Sequence, residues 1–116
     1  MKFDFSSGTV TLALACVDLR KGFGALSALA ASELLIDVEK CQDWVVFINR
    51  TRKVAKIIHR DDRGNLLITR HLDEGTFQQI LTRADGRAKE PLTAAELESY
   101  LDGKHLLVRR TTLLSD

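Results

Sequence analysis

The chain is poor in the residues that build special scaffolds. It has only two cysteines, Cys16 and Cys41, among 116 residues. Two thiols that far apart fit no metal or redox spacing, so a disulfide framework and a zinc module are both excluded. Both cysteines lie beside apolar segments and are expected to be buried and reduced. Proline occurs once, at Pro91, and no tract is biased toward a few residue types, which argues against disorder. Long apolar runs are also missing. Gly22 to Ser32 is the longest lightly charged stretch, well short of the roughly 18 residues a membrane helix needs. No basic-then-apolar leader opens the sequence, so a cytoplasmic protein without membrane contact is expected. Net charge is scarce too, at +1, which on average speaks against an anionic partner.

The rest is ordinary globular composition, with 45% hydrophobic and 28% charged residues, enough for one core. A single domain over residues 1–116 is expected. Val10, Leu12 and Leu14 alternate with small residues and predict a strand. Asp18 reads as an N-cap, and the spacing of Leu19, Phe23, Leu26, Leu29, Ala30 and Leu34 predicts a helix starting at Leu19. Gly22 and Gly24 cost that helix up to about 1 kcal/mol each. Close backbone packing or close approach of a ligand would justify them.

Trp44–Ile48, Val54–Arg60 and Leu66–Leu72 read as three strands joined by short turns, and short turns favour antiparallel neighbours. The second turn, Asp61 to Asn65, is expected to be a five-residue loop pairing Arg60 with Leu66. Residues 83–91 read as a surface loop. Thr93 with Glu96 is a capping box opening a second helix with Leu97, Tyr100 and Leu101 on its apolar side. Residues 104–116 form a C-terminal tail, a short strand or frayed end. The expectation is an α+β fold: a small domain, mainly antiparallel sheet, in the order strand, helix, three-strand meander, helix.

No catalytic motif is present, so no enzyme activity and no cofactor are expected. His59, His71 and His105 are dispersed, and no metal site is expected from them. Asp61 and Asp62 would point apart if extended, and Asp-rich hairpin loops are usually turn chemistry rather than a nuclease centre.

The charge is unevenly placed. Residues 50–70 hold Arg50, Arg52, Lys53, Lys56, Arg60, Arg63 and Arg70 against Asp61 and Asp62, a net +5. Residues 71–103 carry a net −4, so the overall +1 is a cancellation. Lys56 and Arg60 fall on one strand face, with Arg52 in phase. A β-ribbon carrying cations can track phosphates. The competing reading is a charged edge that prevents aggregation. Arg20 and Lys21 stand at the start of the first helix, where backbone N–H groups could receive an anion. With Asp18 as the cap, pairing of these two cations within the fold is the favoured reading.

Asp18-Leu19-Arg20-Lys21-Gly22-Phe23, with Leu26 three residues on, resembles the opening signature of the TnpB-like accessory proteins of insertion-sequence family sixty-six, which are distinct from the RNA-guided nucleases called by the same name. Val46-Phe47 before Arg50, Arg52 and Lys53 is similar to that family's strand and basic turn. Lys56-Ile57-Ile58 before Asp61-Asp62-Arg63-Gly64 is similar to its next strand and hairpin. Arg70, Leu72, Gly75 and Phe77, then Leu92-Thr93, Glu96-Leu97 and Leu101-Asp102-Gly103, continue the likeness from Val10 to Gly103. The sequence departs from the family where an aromatic often precedes the hairpin Asp; His59 and Arg60 stand here. The resemblance implies a non-enzymatic accessory factor of DNA transposition, encoded in a mobile element and acting beside a separate transposase. DNA and that transposase are the partners expected. The contacts expected are Arg50, Arg52, Lys53, Lys56, Arg60 and Arg63, with Arg20 and Lys21 as seconds. The alternative is an adaptor that docks on the transposase or self-associates without touching DNA.

Overall fold

The apolar run from Trp44 to Ile48 is buried on both sides, and the architecture follows from that. In the computed structural model, which describes residues 3–80 and 87–106, Trp44, Val46 and Ile48 enter one core while Val45 and Phe47 enter another. These residues form β2 (Asp43–Ile48) in a five-stranded sheet with β1 (Thr9–Ala13), β3 (Val54–Asp61), β4 (Gly64–His71) and β5 (Lys89–Leu92). The spatial order is β4-β3-β2-β1-β5. Helix α1 (Phe23–Leu34) covers one face and α2 (Ala94–Leu101) the other. The fold is α+β, with a mostly antiparallel sheet.

On the α1 side, Leu26, Ala30 and Leu34 pack with Leu19, Val45, Phe47 and Ile58. On the α2 side, Leu97, Tyr100 and Leu101 pack with Val10, Leu12, Val46, Ile57 and Phe77. Burying one such large side chain contributes about 1.5–3 kcal/mol. Tyr100 is wholly enclosed and donates its hydroxyl to the Gln78 carbonyl at 2.7 Å, and burial pushes its pKa up. Thr93 and Glu96 do form the expected capping box, with bonds of 3.1 and 2.8 Å.

Several expectations need correction. Helix α1 begins at Phe23, with Gly22 rather than Asp18 as its N-cap. Asp18 instead turns its carboxylate onto Arg20, which leaves Leu19 to reach the core from an irregular segment. The sheet has a fifth strand. Residues 89–91, expected in a surface loop, pair antiparallel with β1, and Leu14 N donates to Ala88 O at 2.9 Å. An exposed β1 edge would leave its peptide groups without partners, and this short strand supplies them. Glu90 is buried and paired with Arg87. Residues 81–86 of that expected loop, and 107–116 of the expected tail, lie outside the described residues.

The β3–β4 turn is tighter than expected. Asp61 faces Gly64 and Arg60 faces Asn65, so only Asp62 and Arg63 form the tip. Asp61 Oδ1 accepts from Arg63 N at 2.8 Å and from Gly64 N at 3.1 Å, and Gly64 takes φ +142°, a conformation that favours glycine. Cys16 and Cys41 are both exposed, not buried. Cys16 lies beyond the end of β1, and Cys41 terminates a short 3₁₀ turn in a left-handed conformation (φ 60°).

Strands β1 and β2 are parallel, with Val10 beside Trp44 and Leu12 beside Val46. Their C-terminal ends therefore lie side by side, and the chain leaves both in the same direction.

Candidate nucleic-acid interface

Where β1 and β2 end, Val17 N still donates to Ile48 O at 2.9 Å, and the two outgoing segments then diverge. The space between them is an open cleft of about 510 Å³. One wall is Cys16 to Arg20 and the other is Asn49 to Thr51, with Val54 also lining it. Asn49 shapes its wall: its side-chain oxygen accepts from Lys53 N at 3.0 Å and Val54 N at 3.1 Å, folding residues 49–53 into a turn. Arg52 closes that turn at φ +59°.

Arg20 and Arg50 stand on opposite walls, both exposed. Arg20 is held by Asp18, whose carboxylate also accepts the Arg20 backbone N–H at 3.0 Å. Hydrogen bonds from the guanidinium hold the Asp18 carboxyl well below the usual carboxylate range, and Asp18 raises the pKa of Arg20 in turn. Arg50 has no ion-pair partner among the described residues. Lys21 follows Arg20, and its carbonyl accepts from Lys56 Nζ at 3.2 Å, drawing Lys56 toward the same end of the sheet.

Helix α1 starts directly after two of these cations, Arg20 and Lys21. Its N-cap, Gly22, supplies no side-chain bond, and its first turn holds no acidic residue. The first intrahelical bond is Leu26 N to Gly22 O at 3.0 Å, so the N–H groups of Phe23, Gly24 and Ala25 precede it. Neither glycine is explained by crowding or by backbone shape. A Cβ at Gly22 or Gly24 would meet nothing within 4 Å, and neither has positive φ.

The other cations separate from this group. Arg52 does not continue the Lys56 and Arg60 face, because its left-handed backbone turns the side chain to Gln79 Oε1 at 2.9 Å. Lys53 is half-buried, and its carbonyl accepts from Leu72 N. Arg60 pairs with Glu39 at 3.2 Å and donates to Asn65 at 2.6 Å. Arg63 is exposed at the tip of the β3–β4 hairpin, the far end of β3 from the cleft. The +5 block therefore divides in two along the sheet.

The histidines do not converge. His59 is buried, stacked on Trp44 with ring centroids 3.7 Å apart, and its Nδ1 lies 2.8 Å from Asp43 O. It faces Leu66, while His71 faces Val54. Among the described residues no group of three His, Cys, Asp or Glu side chains is placed to hold a metal ion. Among them, too, no helix is long and apolar enough to cross a membrane. Sequence reasoning missed the cleft because its walls are about thirty residues apart and meet only through the parallel β1–β2 pair. Its visible traces were Arg20 and Lys21 before Gly22 and Gly24, and Arg50 in the basic block.

The protein family described as IS66 Orf2 like protein matches residues 8–110. An uncharacterized protein, y4hO of Sinorhizobium fredii (strain NBRC 101917 / NGR234), is 31% identical over 96 residues, covering 83% of this chain and 83% of that protein. No solved structure matches. The match spans both walls of the cleft, the whole sheet and both helices: the chain belongs to the IS66 Orf2 like family.

Proposed function

We propose that this chain is a non-catalytic accessory factor of transposition that contacts DNA through the cleft at the ends of β1 and β2. Membership of the family implies the accessory role, and the family is not a known enzyme class. The DNA contact is supported by one conjunction of features. A helix start without a side-chain cap, with two glycines that nothing in the fold requires, follows Arg20 and Lys21, Lys56 reaches the Lys21 carbonyl, and Arg50 stands across the cleft from Arg20. A helix N-terminus presents N–H groups and a partial positive charge, and glycines without side chains let a phosphate approach them. The four cations supply sequence-independent attraction to a phosphate backbone. Lys53 and Arg52 support the turn that presents Arg50.

The test is a titration with duplex DNA from the element's ends and with unrelated duplex, at several salt concentrations. Binding that falls steeply with salt, and that Arg50→Glu with Lys56→Glu abolishes, is the expected result. Absence of binding at low salt overturns the reading. Nuclease-resistant co-purification with the transposase, together with that absence, would assign the chain an adaptor role instead.

A further inference from the structure

The two edges of the sheet are protected differently. Strand β5 is four residues long and contains Pro91, a residue that cannot donate to a neighbouring strand. Strand β4 is eight residues long, has no proline, and among the described residues pairs only with β3. Its central Leu67 is 41% exposed.

The direction of the free backbone groups on β4 follows from one bond. Leu72 N donates to Lys53 O at 2.9 Å, extending the β3–β4 ladder by one pair. In an antiparallel ladder, bonded pairs alternate, so Arg70, Ile68, Leu66 and Gly64 exchange bonds with β3. The N–H and C=O groups of Asn65, Leu67, Thr69 and His71 therefore point away from the sheet.

We propose that this edge pairs antiparallel with β4 of a second copy of the chain, about a two-fold axis at Leu67. Outward-pointing residues must meet outward-pointing residues, and this register satisfies that condition. Leu67 meets the partner's Leu67, Asn65 meets the partner's Thr69, and about six main-chain hydrogen bonds form. On the other face Leu66 meets the partner's Ile68, and Arg70 meets the partner's Gly64. From Gly64 to Arg70 no like charges are opposed. Arg70 and Asp62 have no partner among the described residues. A side chain at Gly64 would meet open space, so Arg70 can pass over the partner's Gly64 toward the partner's Asp62. Arg60, one strand behind, is already neutralised by Glu39. The pattern is self-complementary in hydrogen bonding, apolar contact and charge, which is what a two-fold interface requires. None of its residues lines the cleft, so the inference stands apart from the DNA reading.

Sedimentation velocity of the full chain without DNA, over a dilution series, tests it. The expected result is a species of twice the 13.0 kDa chain mass that dissociates on dilution. Leu67→Lys and Thr69→Pro should each give the monomer with unchanged circular dichroism, since proline at Thr69 removes only an outward N–H. In a Cys16→Ser, Cys41→Ser background, Leu67→Cys should oxidise to a cross-linked dimer, because facing Cα atoms about 5.5 Å apart lie within disulfide reach. Thr69→Cys should not, because Thr69 faces Asn65. A monomer at every concentration overturns the proposal. So does a dimer that survives both edge substitutions, or an edge that associates only when another protein is added.

Discussion

The Asp18 carboxylate grips the Arg20 guanidinium with both oxygens, at 3.0 Å from Nε to Oδ1 and 2.7 Å from Nη2 to Oδ2. The pair is solvent-exposed, so it contributes little to stability. Its effect is on the cleft, where it fixes one cation in place and offsets part of its charge. Asp18→Asn should leave the melting temperature nearly unchanged, tighten DNA binding and steepen its salt dependence. Arg20→Ala should weaken binding and lower the log–log salt slope by about one unit. Fluorescence anisotropy at several salt concentrations reads both.

Helix α2 depends on its first turn. Thr93→Ala removes the bond to Glu96 N and should cost about 1 kcal/mol. Glu96→Ala removes the reciprocal bond and should cost less, being an exposed contact. Urea denaturation followed by circular dichroism measures both.

Leu35 ends helix α1 in the left-handed region, at φ 57° and ψ 38°, with its side chain 84% exposed. That side chain gains little from burial and pays conformational strain of about 1–2 kcal/mol. Leu35→Gly should therefore stabilise the fold, by up to about 1 kcal/mol after the entropy of the unfolded glycine is counted. Thermal unfolding gives the sign directly.

Asp43 begins β2, and its pKa is raised, first by desolvation. A raised carboxyl pKa favours the folded state at low pH. That contribution is full below the unfolded value of 3.8 and is lost as pH rises through the folded value. Asp43→Asn removes this loss. Its melting temperature should exceed that of the parent at pH 7, and the difference should shrink on acidification toward pH 3.8.

Much of the fold was legible because its signals are local. The alternation in Val54–Arg60 gave β3 its two faces, with Ile58 on the α1 side and Ala55 and Ile57 on the other. The Thr93–Glu96 spacing placed α2. The failures occur where a long-range contact outweighs a local preference. Lys89-Glu90-Pro91-Leu92 has no strand pattern, and it becomes a strand because β1 needs a neighbour. Leu19 fits the helical stripe and is buried, yet the Asp18–Arg20 turn keeps it out of α1. The cations were legible as a block. Their division was not, since the left-handed backbone at Arg52 and the reach of Glu39 to Arg60 leave no mark on local spacing.

The parallel β1–β2 pair also decides how rigid the cleft is. Its walls leave the two strands that form the buried middle of the sheet, and Val17 N to Ile48 O bolts them together at the root. A bond rooted between two interior strands opens with the core of the domain. Hydrogen exchange at Val17 should therefore track global stability, whereas exchange at the outward amides of β4 should be fast in the monomer. A DNA ligand would meet a seat already formed, with little ordering entropy lost on binding.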